Sequence, residues 1–501
     1  MSVPKKIAIA GITIFGAALA FYAGENIRGK AAWENFKKEW EAKGVSFDYR
    51  KSFPPAVPSN KNFAHTPLLK PLLEHEWSAD GTELIKNPPK DATARANKLM
   101  AMKGDPPSYG RWMVGQRVNL VKWQQFFRDQ KDWPHPEQPG SPGADILHAL
   151  KKHEPELSEL ATAMRDRPQC RFDNQYNATF SMPLPHLSVL RNASCGTTLR
   201  ALAHLAEKEP DTALANLQLT LHLSECLVTE PTLISQQVRT SIQEMALQII
   251  WEGLADSRWQ VEHLIAIKKK LASIQTLAAF EDAMTWERNA ANFFFTDLLK
   301  KDKNVWKQLD PLTDESHVEE DLDFTGLAPR GWVYQNLANL NRMHLKFTDR
   351  LIDSDAGRIN PQVALGFKET MKNKKNKPFY ILCRELIPAL DKVGLYAGTS
   401  RTSVDLALLA LQLEQYKLKH GSYPKKLNEL EGSTPKDPYS GKEYNFSVEN
   451  GRYTLYGLGW NETDDEGMAE EVIVKGKKSR KADLSKGDIV WRYPTLGKLG
   501  K

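Results

Sequence analysis

The chain has 501 residues, 41% of them apolar and 26% charged, which is enough for a sizeable core divided over two or three packed units. Its 68 basic and 62 acidic residues leave a net charge of +6, too small and too dispersed for a dedicated nucleic-acid binder, which needs a concentrated basic face. Four cysteines, Cys170, Cys195, Cys226 and Cys383, are too few for a disulfide framework and form no Cys-x-x-Cys pair. Cys226 and Cys383 lie in apolar helical surroundings and read as buried thiols, while a Cys170 to Cys195 bridge would require an oxidising compartment.

Lys5 and Lys6 precede an uncharged run from Ile7 to Gly24, about the shortest length that crosses a bilayer as a helix. Ala18-Leu19-Ala20 offers a signal-peptide cleavage site, but the apolar run continues past it through Phe21, Tyr22 and Ala23, which favours an uncleaved anchor. From Gly29 to Gly44, Trp33, Phe36 and Trp40 recur at helical spacing among lysines and glutamates. That pattern predicts a short amphipathic helix whose aromatics dock on the body or rest on the lipid surface, docking being the more common case. A proline-rich strap follows from Ser52.

Apolar spacing predicts helices over Ala92 to Lys103 and Val114 to Lys131, then a loop from Asp132 to Gly143. From Ala144 to Lys301 helical patterns dominate, with segments such as Leu199 to Lys208, Asp211 to Leu227, Thr232 to Leu254 and Val261 to Lys301. No fixed period repeats, so the region reads as a helical array or bundle of the kind that holds partners. Lys303 to Arg330 is acidic and reads as a surface excursion, and helix resumes over Val333 to Ile352 and Phe379 to Leu395. Two basic runs, Lys372 to Lys377 and Lys475 to Lys481, read as solvated loops, with contact to anionic lipid as the sharper alternative.

The most informative stretch is Thr402 to Gly467. Thr402-Ser403-Val404-Asp405 is a capping-box variant before an apolar helix that Gly421 would end in the left-handed conformation. Ser422-Tyr423-Pro424 forces an extended exit, Lys425 to Glu431 allows a short helical turn, and Asp437-Pro438-Tyr439-Ser440-Gly441 reads as a turn. Strands are predicted over Tyr444 to Val448 and Tyr453 to Leu458 around Asn450-Gly451, a hairpin signal, and over Glu471 to Val474 and Asp488 to Trp491. The order "ALLALQLEQYKLKHGSYPKKLNEL", "DPYSGKEYNF", "GRYTLYGLGWNETDDEG" resembles the soluble half of type II secretion pseudopilins. That resemblance, over the last fifth of the chain, implies a helix carrying a small antiparallel sheet closed by an acidic loop. In that family the loop can hold calcium, and the matching positions are Asn461, Asp464 and Asp465, with Glu462 and Glu466 nearby. A solvated acidic turn is the alternative reading. The pilin-type methylation helix does not directly precede this module, so the resemblance carries a fold rather than a job. "RGKAAWENFKKEWEAKG" and "PPAVPSNKNFA", together with the "GSYP" and "DPYSG" endings, also resemble a group of uncharacterised bacterial envelope proteins.

No zinc helix, nucleophile elbow, phosphate loop or dinucleotide fingerprint is present. His148 and His153 are off a shared helical face, and His204 with Glu207 reads as a surface hydrogen bond. Trp286-Glu287-Arg288, and Arg239 with Glu244, sit in apolar helices where charges are either structural pairs or the mark of a cleft. The expected architecture is mainly α: an N-terminal transmembrane helix (1–28), a juxtamembrane region (29–143), a helical array (144–400) and a small α+β module (401–501). The expected function is a single-pass bacterial inner-membrane scaffold or binding protein with a periplasmic body and a protein partner, no catalytic activity being inferred. An envelope hydrolase and an accessory part of a secretion apparatus are the alternatives.

Overall fold

The computed structural model describes residues 3–301, 305, 328–374, 377–387, 390–474 and 477–492, so most of the acidic stretch 303–330 lies outside them. α1 (Val3–Glu41) is one unbroken helix, and the span and the aromatic segment expected as a second helix are a single rod. It is long and apolar enough to cross a membrane. Trp33 and Phe36 are 3% and 2% exposed, so the aromatic stripe docks on the body.

A small hairpin of β1 (Glu76–Trp77) and β2 (Leu84–Lys86) leads to α2 (Lys90–Lys98) and α3 (Leu120–Arg128). Both helices are shorter than their apolar spacing predicts. Leu99 turns extended after α2, and Arg111 and Gln116 bridge across Gly115, which sits at φ 66°, before the Asn119 side chain caps α3. The array follows as α4 (Pro142–Leu150), α5 (Glu154–Asp166), α6 (Pro185–Ala206), α7 (Pro210–Glu225), α8 (Leu233–Ala255), α9 (Val261–Leu271) and α10 (Leu277–Lys300). Three of these begin on proline, whose missing N–H costs nothing in a first turn. α11 (Arg330–Met343) passes through a π turn into α12 (Asp349–Leu351), and a hairpin of β3 (Ile352–Asp353) and β4 (Arg358–Ile359) precedes α13 (Pro361–Lys372), α14 (Ile381–Leu386) and α15 (Leu390–His420).

These elements form two compact units that interleave along the sequence. The first comprises 1–52, 284–351 and 362–391; the second comprises 53–283, 352–361 and 392–501. Inside the first, α1 packs on α11, and Arg288 pairs with Asp349 at 3.2 Å while bonding the Ser46 carbonyl. Inside the second, α6, α7 and α8 pack against one another around leucines and alanines that are almost all buried.

α15 departs from the expected capping box. The helix starts at Leu390, and Thr402 and Ser403 are fully buried in its interior, because the backbone from 390 onward is already helical. Asp405, expected to cap, instead accepts hydrogen bonds from Arg401 (2.8 Å) and the Tyr444 hydroxyl (2.9 Å), and burial raises its pKa to about 6. The helix does end before Gly421, at φ 80°. β5 (Asn445–Glu449) and β6 (Arg452–Gly457) then pair antiparallel around Asn450 and Gly451, both at positive φ as a two-residue hairpin requires. β7 (Ala469–Val474) and β8 (Lys477–Gly487) make a separate hairpin, and β9 (Ile489–Arg492) adds to β6. The basic run expected as a loop between strands therefore lies largely on β8.

Asp437 fixes the turn after α15. Its carboxylate accepts from the backbone N–H of Tyr439 (2.7 Å), Ser440 (3.3 Å) and Leu458 (2.7 Å), and the residue is 2% exposed. Asp437→Ala removes the acceptor for all three donors and is expected to destabilise the chain by about 3 kcal/mol in urea unfolding. Asp437→Asn retains one acceptor oxygen and should lose roughly half of that; equal losses in the two variants would contradict the assignment. All four cysteines are free thiols. Cys170 lies beside Cys226, not Cys195, so the bridge considered from the sequence is not formed.

Candidate functional site

In the acidic loop the Asn461 amide donates to Asp465 (2.9 Å), and Asp464 accepts from the Tyr456 hydroxyl (3.2 Å) and from Glu466 N–H (3.0 Å). Glu462 and Glu466 take left-handed backbone conformations at φ 56° and 57°. The sequence reading missed the residue that orders the loop: the buried Asp488 carboxylate accepts from Asp465 N–H (3.0 Å) and Gly467 N–H (2.8 Å), and burial raises its pKa to about 6. Among the described residues, no three His, Cys, Asp or Glu side chains are grouped so as to hold a metal ion.

The other pairs considered from sequence resolve differently. His204 bonds Glu209 (2.7 Å), and Glu207 accepts from Ser141 (2.5 Å). His153 is buried against Trp133 and accepts from Met100 N–H. Arg239 and Glu244, five residues apart on one helix, point to different partners. Arg239 is fully buried and bonds Glu225 at 3.0 Å, which makes it structural. Glu244 faces a cleft.

That cleft, in the second unit, has a volume of about 820 Å³, within the usual range for small-molecule sites. One face of α8 builds it: Gln237, Thr240, Ser241, Glu244, Met245 and Gln248 recur at spacings of three and four. Arg191 from α6, Tyr396 with Thr399 and Ser400 from α15, Leu484 from β8, and the segment around Trp112 complete the wall. Ser400 donates to Gln243 of α8 (3.1 Å), and Trp112 packs on Trp491 of β9 with ring centroids 4.8 Å apart, so helices and sheet are tied together around the opening. Gly110 takes φ 80°, and a Cβ there would run into the Gln248 amide, so this close approach requires glycine.

Trp112, Met113, Met245, Tyr396 and Leu484 make much of the surface apolar. Glu244 accepts from the Trp112 indole (2.8 Å), and burial pushes its pKa up to about 7. The Gln248 amide nitrogen donates to Gln116 O (3.1 Å) and Glu252 (2.7 Å), but its buried oxygen has no hydrogen-bond partner. Burial holds the Tyr109 hydroxyl far above its ordinary pKa, beside the Cys195 thiol and the Arg191 charge. Arg191 itself forms no ion pair among the described residues. A polar stripe on an otherwise apolar, buried helix is the sequence signal that marks such a cleft. What faces that stripe comes from segments hundreds of residues away. No protein family, curated protein or solved structure matches the chain.

Proposed function

We propose that the chain is a membrane-tethered binding protein whose cleft takes a small amphipathic acid. The observation that carries this reading is the cleft itself: an apolar wall, an uncompensated guanidinium at Arg191 and an unpartnered buried acceptor at Gln248, gathered from five separate parts of the sequence. An acid group would be held by Arg191 through charge-assisted hydrogen bonds, a donor on the ligand would meet Gln248, and an apolar body would lie on Trp112 and Met245. Placement in a bacterial inner membrane with the body in the periplasm belongs to the same proposal. It is supported by the apolar α1 and by the resemblance of the sequence from 402 to 467 to the soluble half of pseudopilins.

The test is native mass spectrometry of the detergent-solubilised full chain with dodecanoate as probe. One bound dodecanoate is expected, with affinity about tenfold weaker in Arg191→Gln and abolished by Met245→Trp, which fills the cleft. Binding unchanged in both variants would sink the proposal. Glu244, a half-buried carboxyl in the cleft whose pKa desolvation pushes up to about 7, favours a second reading as a hydrolase that uses it as general acid or base. Turnover of an ester probe that vanishes in Glu244→Gln while dodecanoate binding persists would select that reading.

A further inference from the structure

We infer that the face of the first unit around the exit of α1 is a contact surface for anionic phospholipid headgroups, with Lys372 and Lys377 as its unpaired cations. The inference rests on α1 crossing the bilayer. About twenty helical residues fill the hydrocarbon layer, and the apolar run of α1 that approaches this length ends at Gly24 and is exposed throughout 9–24. The body begins at the very next residue. Glu25 accepts from the Trp332 indole (2.8 Å), and Asn26 accepts from Gly331 N–H (2.8 Å). Whatever touches residues 25 to 29 therefore lies at headgroup depth.

Two aromatics do so. The Trp332 and Phe379 rings meet edge to face at 5.4 Å, and the Arg28 guanidinium lies 5.5 Å from the Phe379 ring centre. Tryptophan and tyrosine are favoured at this depth, because an apolar ring with a polar edge suits the boundary. Asn336 and Asn339 of α11 bond the carbonyls of Pro378 and Phe379, both at 2.8 Å, and so fix this turn beside α1. Lys377 immediately precedes this turn, and α13 ends on Lys372. Lys374 donates to the Tyr380 hydroxyl (2.9 Å), whereas Lys372 and Lys377 are exposed and have no ion-pair partner among the described residues. Glu25, the acid at the exit, is already paired with Arg28 at 2.7 Å. The surface thus offers free positive charge and aromatic edges at the level where a membrane presents phosphate.

The experiment is amide hydrogen exchange of the full chain in nanodiscs of zwitterionic lipid and in nanodiscs containing anionic phospholipid. Exchange across 372–380 is expected to slow only in the anionic discs, by about fivefold for each lysine. The slowing should disappear in Lys372→Gln/Lys377→Gln, with the amides of α1 protected in both discs. Equal exchange in the two discs with α1 protected would overturn the contact surface alone. Rapid exchange of 7–24 would overturn the spanning helix, and the surface with it.

Discussion

Arg239→Ala is expected to cost about 3–5 kcal/mol, the largest loss from a single side chain in the second unit. The guanidinium is fully buried on α8, where it bonds Glu225 at the end of α7 (3.0 and 3.3 Å) and the Gln275 carbonyl beyond α9 (3.0 Å). Truncation leaves Glu225 with only long hydrogen bonds from Gln243 (3.3 Å) and the Ser224 hydroxyl (3.5 Å), strips the Gln275 carbonyl of its guanidinium donor and opens a void. Most of the loss comes from stranding these groups rather than from the worth of the pair. Arg239→Met/Glu225→Leu, which removes both charges and restores volume, should therefore recover most of it. Urea unfolding with the cleft probe present checks both points, since Gln237 and Thr240 flank Arg239 on α8. A single-variant loss below about 1 kcal/mol would show that the pair is dispensable.

The second large effect is expected at Gly331. A Cβ there would collide with the Glu25 carbonyl of α1, and a Cβ on Gly29 would collide with the Gly331 carbonyl. Both obstacles are backbone, which cannot rotate aside, so Gly331→Val must push α11 off α1. About 3 kcal/mol or more should be lost. The loss should be confined to the first unit: trypsin should cut after Arg28 and Lys30 in the variant while the second unit keeps its melting temperature. Gly331→Val with the cutting pattern of the native chain would mean that α1 and α11 approach less closely than described.

Those two sites show where sequence reasoning stops. Features set by neighbouring residues were legible: the apolar run of α1, the Asn450-Gly451 hairpin, the Asp437 turn and the stop at Gly421 each follow from a local rule. The start of α15 was not, because Thr402-Ser403-Val404-Asp405 carries a capping pattern that packing overrides by extending the helix back to Leu390. In the sequence Glu244 stands out only beside Arg239, five residues away. Its true neighbour, Trp112, lies far off in sequence and is brought near only by the fold. Asn461, Asp464 and Asp465 mark the acidic loop in the sequence, whereas Asp488, which holds its backbone, has the sequence context of a strand start. Glycines at 29 and 331 carry no pattern at all until two helices are laid against each other.

The interleaving of the two units sets an order on how the polypeptide matures as it leaves the ribosome. α1 is translated ahead of the second unit, yet the other segments of its own unit, 284–351 and 362–391, follow only after the whole of 53–283. Until then the nascent chain must carry the aromatic stripe of Trp33 and Phe36 uncovered. The last hundred residues, in turn, close a unit whose first helices have long been waiting. A product truncated before 392 would thus lack the part of the cleft wall that α15 and β8 supply, together with the final sheet, and would be a natural substrate for quality-control proteases.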